Sequence, residues 1–246
     1  MKNPLSRLRS FTPARIAIGR AGSGVPTQAL LDFGLAHARA RDAVHAKLDV
    51  ESLALQLKDF QRVVVTSRAP DRETYLRRPD LGRRLSEECI LNKGDQPIVL
   101  VIADGLSAVA VQNHAAPLVA RLLELAPQRW AGAAAVIALQ ARVALGDEIG
   151  ERLGAKLVVV LIGERPGLSS PDSLGAYLTW APRVGRTDAE RNCVSNIRPQ
   201  GLGYEMAARR IDWLAAAALA RGLTGVSLKD ESSVVIPAKA GTRVLP

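Results

Sequence analysis

Three short apolar runs constrain the fold of this chain more than any other feature. Residues 98–103, 133–139 and 157–162 consist entirely of Ala, Val, Ile and Leu. Strands covered by helices on both faces give continuous apolar runs of this length, whereas half-exposed strands alternate with polar residues. Helix-length segments separate the three runs. The pattern therefore predicts an α/β fold, with a Rossmann-like parallel sheet and helices on both of its faces.

Capping and breaking residues predict the other elements. A short β-branched strand is expected at residues 62–67. Thr27, Asp49 and Asp71 are the expected N-caps of three helices, Pro117 is expected to break a fourth, and Gly222 should terminate the last. Helices are predicted for residues 27–48, 50–57, 71–77, 107–125 and 204–221, with a shorter one starting at Asp147.

These elements predict three regions. Residues 1–60 should form an N-terminal arm and helical region, 61–230 a Rossmann-like domain, and 231–246 a peripheral tail without periodicity. Ligands of open α/β sheets bind outside the carboxyl ends of the strands. Loops leave three predicted strand ends, at residues 103–107, 140–147 and 163–173.

The charge balance raises a nucleic-acid alternative. Lys and Arg exceed Asp and Glu by 33 − 24 = 9, and a basic surface attracts phosphate. Aromatic residues make up only 4% of the chain, and no zinc-finger, RNP or GxxG pattern accompanies them. We therefore expect no nucleic-acid partner, and an arginine-rich surface that faces solvent or an acidic partner subunit.

Other classes of protein are also disfavoured. No apolar run approaches the roughly 20 residues that span a bilayer, and residues 1–20 lack a secretion signal, so we expect a cytoplasmic protein without a membrane association. Cys89 and Cys193 form no CxxC unit and should be reduced thiols. With only three histidines and no ligand cluster, we expect no metal held by side chains.

Several residues could either bind a ligand or have a structural role. Residues 19–24 (GRAGSG) resemble a phosphate loop but match neither the P-loop nor the GxGxxG fingerprint, so a nucleotide-dependent enzyme is a weaker alternative. His37 lies on the apolar stripe of its predicted helix, which favours a core or interface position over a ligand. His114 could cap a turn or face the site, and Asp104 could hold a ligand or form an ordinary turn. No catalytic nucleophile or acid–base pair can be assembled, so no catalytic residue is predicted.

Several loops carry a resemblance to a known family. Residues 163–168 (GERPGL), 191–197 (RNCVSNI) and 142–149 (RVALGDEI) resemble the small subunit of ethanolamine ammonia-lyase, an adenosylcobalamin-dependent enzyme. The likeness covers about residues 12–230, and the N-terminal arm and the tail after Asp230 depart from it. Further similar segments are residues 15–44, 75–85, 103–109 and 169–182.

The resemblance implies a specific function. Such enzymes convert ethanolamine to acetaldehyde and ammonia through an adenosyl radical. A large subunit holds the substrate and most radical-handling groups, and the small subunit covers cobalamin at the interface. The chain would thus be one component of a hetero-oligomeric lyase without a complete active site, and residues 61–230 would be its cobalamin-binding domain. Whether a bacterial microcompartment encloses the enzyme stays open.

Three residues match the family's cobalamin contacts: Val143, Glu164 and Cys193. Glu164 can accept hydrogen bonds from the amide arms of the corrin, or instead pair with a neighbouring arginine. Val143 can bind only through its backbone, or can be a core residue. Cys193 offers a polarisable surface, or is a buried inert thiol. Weaker neighbours are Arg142, Arg165 and Asn196.

The histidine pattern bears on how cobalamin would bind. Proteins that displace the cofactor's own base use a D-x-H-x-x-G motif, in which the His takes the cobalt. None of His37, His45 and His114 lies in that motif. We therefore expect adenosylcobalamin in the base-on form.

Overall fold

The chain folds around a six-stranded mixed sheet. The computed structural model describes residues 7–9, 11–12, 14–58, 60 and 62–232. The helices are α1 (Thr27–His45), α2 (Val50–Gln56), α3 (Arg72–Arg77), α4 (Ala108–Leu125), α5 (Pro127–Trp130), α6 (Leu145–Leu153) and α7 (Tyr204–Arg221). The strands are β1 (Arg62–Thr66), β2 (Ile98–Ala103), β3 (Ala134–Leu139), β4 (Leu157–Gly163), β5 (Leu174–Trp180) and β6 (Arg191–Ile197).

The strand order is β1-β3-β2-β4-β5-β6. The four strands from β1 to β4 pair in parallel, and β5 and β6 pair antiparallel. The α/β prediction is confirmed, but the expectation of a wholly parallel sheet is wrong. The Rossmann-like assignment stays a prediction, because the two antiparallel strands depart from that fold.

The central strands explain the continuous apolar runs. Every residue of β2 and of β4 is buried. One face of the sheet packs in a core with α4 and α7, which contains Leu100 and Ile102. The other face packs against α6, in a second core that contains Val101 and Val160. Because helices cover both faces of the sheet, side chains that point to either face are buried, and apolar residues are favoured at every position.

Three predicted helix ends are confirmed and two are wrong. Asp49 and Asp71 cap α2 and α3 by accepting N–H groups, and Gly222 ends α7 with φ 70°. Thr27 is not a cap, because α1 begins at Thr27 itself with no side-chain cap. Pro117 does not break α4, which runs unbroken to Leu125. The carbonyl group that Pro117 leaves without a donor belongs to Asn113, an exposed residue, so water can satisfy it.

Helix α1 is more exposed than its apolar stripe predicted. Leu30 and Phe33 are 59% and 44% exposed, and Ala43 is the buried residue of this helix. His37 is exposed and stacks on Phe33, so the core interpretation of His37 is wrong. The helix ends at His45 and not at residue 48, because Ala46 adopts an extended conformation.

The division into regions stays a prediction. Leu53 of α2 belongs to the same core cluster as the central strands. Among the described residues, no helix combines the length and apolar character that crossing a membrane needs. The predicted tail at residues 231–246 lies outside the described residues from 233 onward.

Candidate functional site

A crevice forms at the carboxyl ends of β2 and β4. The chain passes from β2 to β3 on one side, while β4 lies on the other side of β2. Loops that follow such a pair of strands diverge, and ligands of open α/β sheets bind between them. Here the Leu106 N–H donates to the Gly163 carbonyl oxygen at 2.9 Å, which joins the two loops at the base of the crevice.

A cavity of about 210 Å³ occupies this crevice. Its walls include Tyr75, Arg142, Val143, Glu164, Arg165 and Tyr177. Two of the three predicted contact residues, Val143 and Glu164, are therefore brought together, although 21 positions separate them in the sequence. Cys193 does not line the cavity.

Glu164 is held in place and keeps one free oxygen. Its Oε2 accepts hydrogen bonds from the Ser173 hydroxyl and from the Asn196 N–H. Its Oε1 has no partner among the described residues, and it forms no ion pair with Arg165 or Arg142. The alternative interpretation of Glu164 as half of an ion pair is therefore wrong. The carboxylate is thus anchored through one oxygen at the wall of the cavity, and its other oxygen can accept a further hydrogen bond.

Val143 contributes its backbone. The residue is half-buried, lies just before α6 and packs against the second core, so the interpretation as a core valine is confirmed in part. Within the described part of the chain, the N–H groups of Val143 and Ala144 find no acceptor. Backbone donors that are free next to a cavity are available to a ligand.

Arg142 is fixed against Tyr75. Its guanidinium lies 4.2 Å from the centre of the Tyr75 ring, and its Nη2 donates to the Tyr75 carbonyl oxygen at 3.2 Å. The Tyr75 hydroxyl donates to the Ala141 carbonyl oxygen at 3.0 Å. Burial raises the pKa of Tyr75 to about 12, so this donor stays protonated. The sequence did not single out Tyr75 for the site, although it lies in the similar segment 75–85.

Cys193 lies on the rim, one strand away from the cavity. It is exposed, and on β6 it pairs with Tyr177 of β5, which lines the cavity. Partial desolvation of the sulfur raises the pKa of the Cys193 thiol, with a further rise from the Glu164 carboxylate. The thiol is thus neutral near pH 7 and unsuited to nucleophilic attack. The buried-thiol interpretation is wrong.

Asp104 is a structural residue. Its carboxylate accepts the N–H groups of Gln140 at 2.9 Å and Ala141 at 3.0 Å, which fastens the end of β3 to the end of β2. Arg72 faces the same carboxylate, with 3.7 Å between Nη1 and Oδ2. Burial raises the pKa of Asp104. With these partners the carboxylate is not free for a ligand.

His114 also has a structural environment. Its Nδ1 lies 2.7 Å from the Tyr204 hydroxyl, and its Nε2 lies 3.2 Å from Oδ2 of Asp172. Asp172 belongs to the loop that carries Glu164 and Ser173. His114 therefore joins α4 to that loop and α7, so it neither caps a turn nor faces the cavity.

Comparison with known proteins identifies the family. The family model described as ethanolamine ammonia-lyase light chain (EutC) matches residues 2–229. This chain belongs to the ethanolamine ammonia-lyase light chain family. The resemblance predicted from the loops is confirmed, and both strand-end loops of the crevice lie within the match. The expectation that the N-terminal arm departs from the family is wrong, because the match begins at residue 2.

Individual members of the light chain family support this assignment along nearly the whole chain. The ethanolamine ammonia-lyase small subunit of Bradyrhizobium diazoefficiens is 58% identical over 98% of this chain and 96% of its own length. Those of Pseudomonas fluorescens and Azotobacter vinelandii are 52% and 53% identical, over 98% and 95% of this chain and 92% and 90% of their own lengths.

Proposed function

We propose that this chain is the small subunit of an adenosylcobalamin-dependent ethanolamine ammonia-lyase, which converts ethanolamine to acetaldehyde and ammonia. In this role it holds one side of cobalamin at the interface with a large catalytic subunit. The observation that carries the proposal is the match of residues 2–229 to the light chain family. The unpaired Oε1 of Glu164, beside the crevice between two strand ends, supports the cofactor site. The names of the related proteins, small subunits of this lyase, support both the reaction and the larger partner.

The residues of the crevice fit the chemistry of cobalamin. The corrin carries primary amides around its rim, which donate and accept hydrogen bonds. Glu164 supplies an acceptor, the unpaired N–H of Val143 supplies a donor, and Cys193 lies at the rim beside Tyr177. These three residues stay our proposed cofactor contacts.

The size of the cavity supports a shared binding site. Ligand pockets that enclose a drug-sized molecule usually measure about 300–1,000 Å³, and cobalamin is larger than such a molecule. The crevice cavity measures about 210 Å³, so this chain can cover only part of the cofactor. This shortage supports a large subunit that covers the remainder.

The chemistry would then be divided between cofactor and chains. Bound adenosylcobalamin supplies a carbon radical by homolysis of its cobalt–carbon bond. The residues of this chain orient the corrin and exclude water from its covered side. We propose that ethanolamine binds mainly to the large subunit, and we assign no catalytic residue to this chain.

The histidines support base-on binding. Both ring nitrogens of His114 lie within hydrogen-bond distance of partners, so it could reach cobalt only by losing one of them. His37 and His45 lie on α1, and neither lines the crevice cavity. We propose that cobalamin keeps its own base. A cytoplasmic location stays a prediction.

Substitution of Glu164 tests the proposed function. In the full chain co-purified with its large subunit, Glu164→Ala should raise the dissociation constant of adenosylcobalamin about tenfold or more, since it removes a charged acceptor. Visible absorbance of the corrin measures this constant. Glu88, an exposed carboxylate outside the cavity, is the matched control, and Glu88→Ala should leave the constant within about twofold.

The possible outcomes separate the site from the function. Unchanged affinity in Glu164→Ala would contradict the assignment of Glu164 but not the function. A wild-type complex that binds no cobalamin, or that forms no acetaldehyde from ethanolamine, would contradict the function itself.

A further inference from the structure

A second cavity, of about 440 Å³, lies beside the crevice. It opens between the turn at Leu81–Arg83, the residues before α6 and the start of β6. We call it the arginine cavity, because its walls include Arg83, Arg142, Arg186 and Arg191, together with Val143 and Ala144. The exposed Asp188 also borders it. Arg142 and Val143 line both cavities, so the two cavities adjoin.

The charges of the arginine cavity are only partly balanced. Arg191 pairs with Asp147, with 2.6 Å between Nη2 and Oδ2, and Arg186 pairs with Glu190. Within the described part of the chain, Arg83 and Arg142 have no carboxylate partner. At least these two positive charges are therefore left for an anion.

Several donors in the arginine cavity have no acceptor. The Arg191 side chain is 2% exposed, yet its Nε has no hydrogen-bond partner, and the Asp188 Oδ1 is 4.0 Å away. The buried Nε of Arg142 is likewise unpaired. The free N–H group of Ala144 precedes α6, where the helix dipole favours negative charge. Buried polar groups without a partner are rare and call for an explanation.

We propose that the arginine cavity binds a phosphate group, and that this group is the phosphodiester of the cobalamin nucleotide tail. The inference rests on the proposed function. Guanidinium groups together with backbone N–H groups before a helix form the donor set that phosphate prefers. The amide arms of cobalamin are uncharged, so the phosphodiester is its anionic group. Because Arg142 and Val143 line both cavities, one ligand can occupy both.

Comparison of two corrinoids tests this inference. Cobinamide has the corrin ring but lacks the nucleotide tail and its phosphodiester. Arg83 is the residue to change, because its side chain is exposed and makes no contact within the described chain that folding depends on. In the co-purified complex, Arg83→Met should raise the dissociation constant of cobalamin about tenfold and leave that of cobinamide within about twofold.

Two further variants sharpen the test. Arg83→Lys should restore part of the affinity for cobalamin, since the charge remains but the planar donor pair is lost. Arg209→Met removes an exposed arginine on α7, which packs on the opposite face of the sheet from α6, and should change neither constant. Added inorganic phosphate should weaken the binding of cobalamin more than that of cobinamide.

Each outcome decides the inference. Selective loss for cobalamin supports it. Equal loss for both corrinoids, or no loss for either, overturns it while leaving the proposed function intact. Competition by phosphate against both corrinoids alike would point to a separate ligand and also overturns it. Failure of the wild-type complex to bind either corrinoid overturns this inference and the proposed function together.

Discussion

The residues of the candidate site differ in how well the sequence alone predicts their positions. Glu164 follows the apolar run 157–162 after a single glycine, so its place at a strand end could be predicted from the sequence. Tyr177 could not, because its strand was not predicted. The role of Asp104 was also out of reach, since its partners Gln140 and Ala141 come from another strand end. Sequence position identifies a loop, but only tertiary contacts say which polar groups stay free.

The burial of Asp147 predicts how the stability of the chain depends on pH. Its carboxyl group and the Arg191 guanidinium are each 2% exposed. Desolvation raises the pKa of Asp147 to about 7, against the opposing effect of Arg191. Below pH 4 the group is protonated in both the folded and the unfolded chain. Between pH 4 and 7 only the unfolded chain releases the proton, so stability falls as pH rises.

The variant Asp147→Asn should lack this dependence. We expect the free energy of unfolding of the wild type, minus that of Asp147→Asn, to fall between pH 4 and 7 by up to about 1.4 kcal/mol per pH unit. Above pH 7 the difference should level off. Urea unfolding at several pH values measures it. A difference that stays constant over the whole range would mean that the carboxyl group is ionised in the folded chain.

Helices and strands could be predicted from the sequence where a single physical effect determines them. The buried runs of β2, β3 and β4 and the caps of α2 and α3 follow from burial and from local hydrogen bonds. Strands β5 and β6 were missed for two reasons. Tyr177 and Thr179 interrupt the apolar character of β5, and β6 has an irregular register against β5, with Asn196 at φ 57°. Such an irregularity destroys the alternation that identifies an edge strand.

The end of β4 lies close to the start of α4, and this contact predicts the effect of a substitution at Gly163. A Cβ on Gly163 would lie 2.0 Å from the Ser107 carbonyl oxygen, so β4 and the start of α4 must separate to admit one. Gly163→Ala should lower the free energy of unfolding by about 1–3 kcal/mol and weaken cobalamin binding, because the crevice would widen.

Gly132 is the matched control for this substitution. A Cβ there meets no atom within 4 Å, so Gly132→Ala should leave both stability and cobalamin affinity nearly unchanged. Thermal unfolding and corrin absorbance measure the two quantities. Equal effects of the two substitutions would contradict the role of the Gly163 contact.

At the scale of the whole molecule, we propose a half-site for the cofactor. The crevice and the arginine cavity adjoin at Arg142 and Val143. The cavity volumes are small for cobalamin, and the free acceptor and donors have no protein partners in the described chain. We therefore expect a cofactor bound between these two cavities and a second subunit.

The most direct measurement is the structure of the complex between this chain and its large subunit with cobalamin bound, by cryo-electron microscopy or crystallography. We predict corrin amides within hydrogen-bond distance of the Glu164 carboxylate and the Val143 N–H, with the other side of the corrin against the large subunit. A cofactor that lies wholly within the large subunit, with this crevice empty or facing solvent, would contradict it.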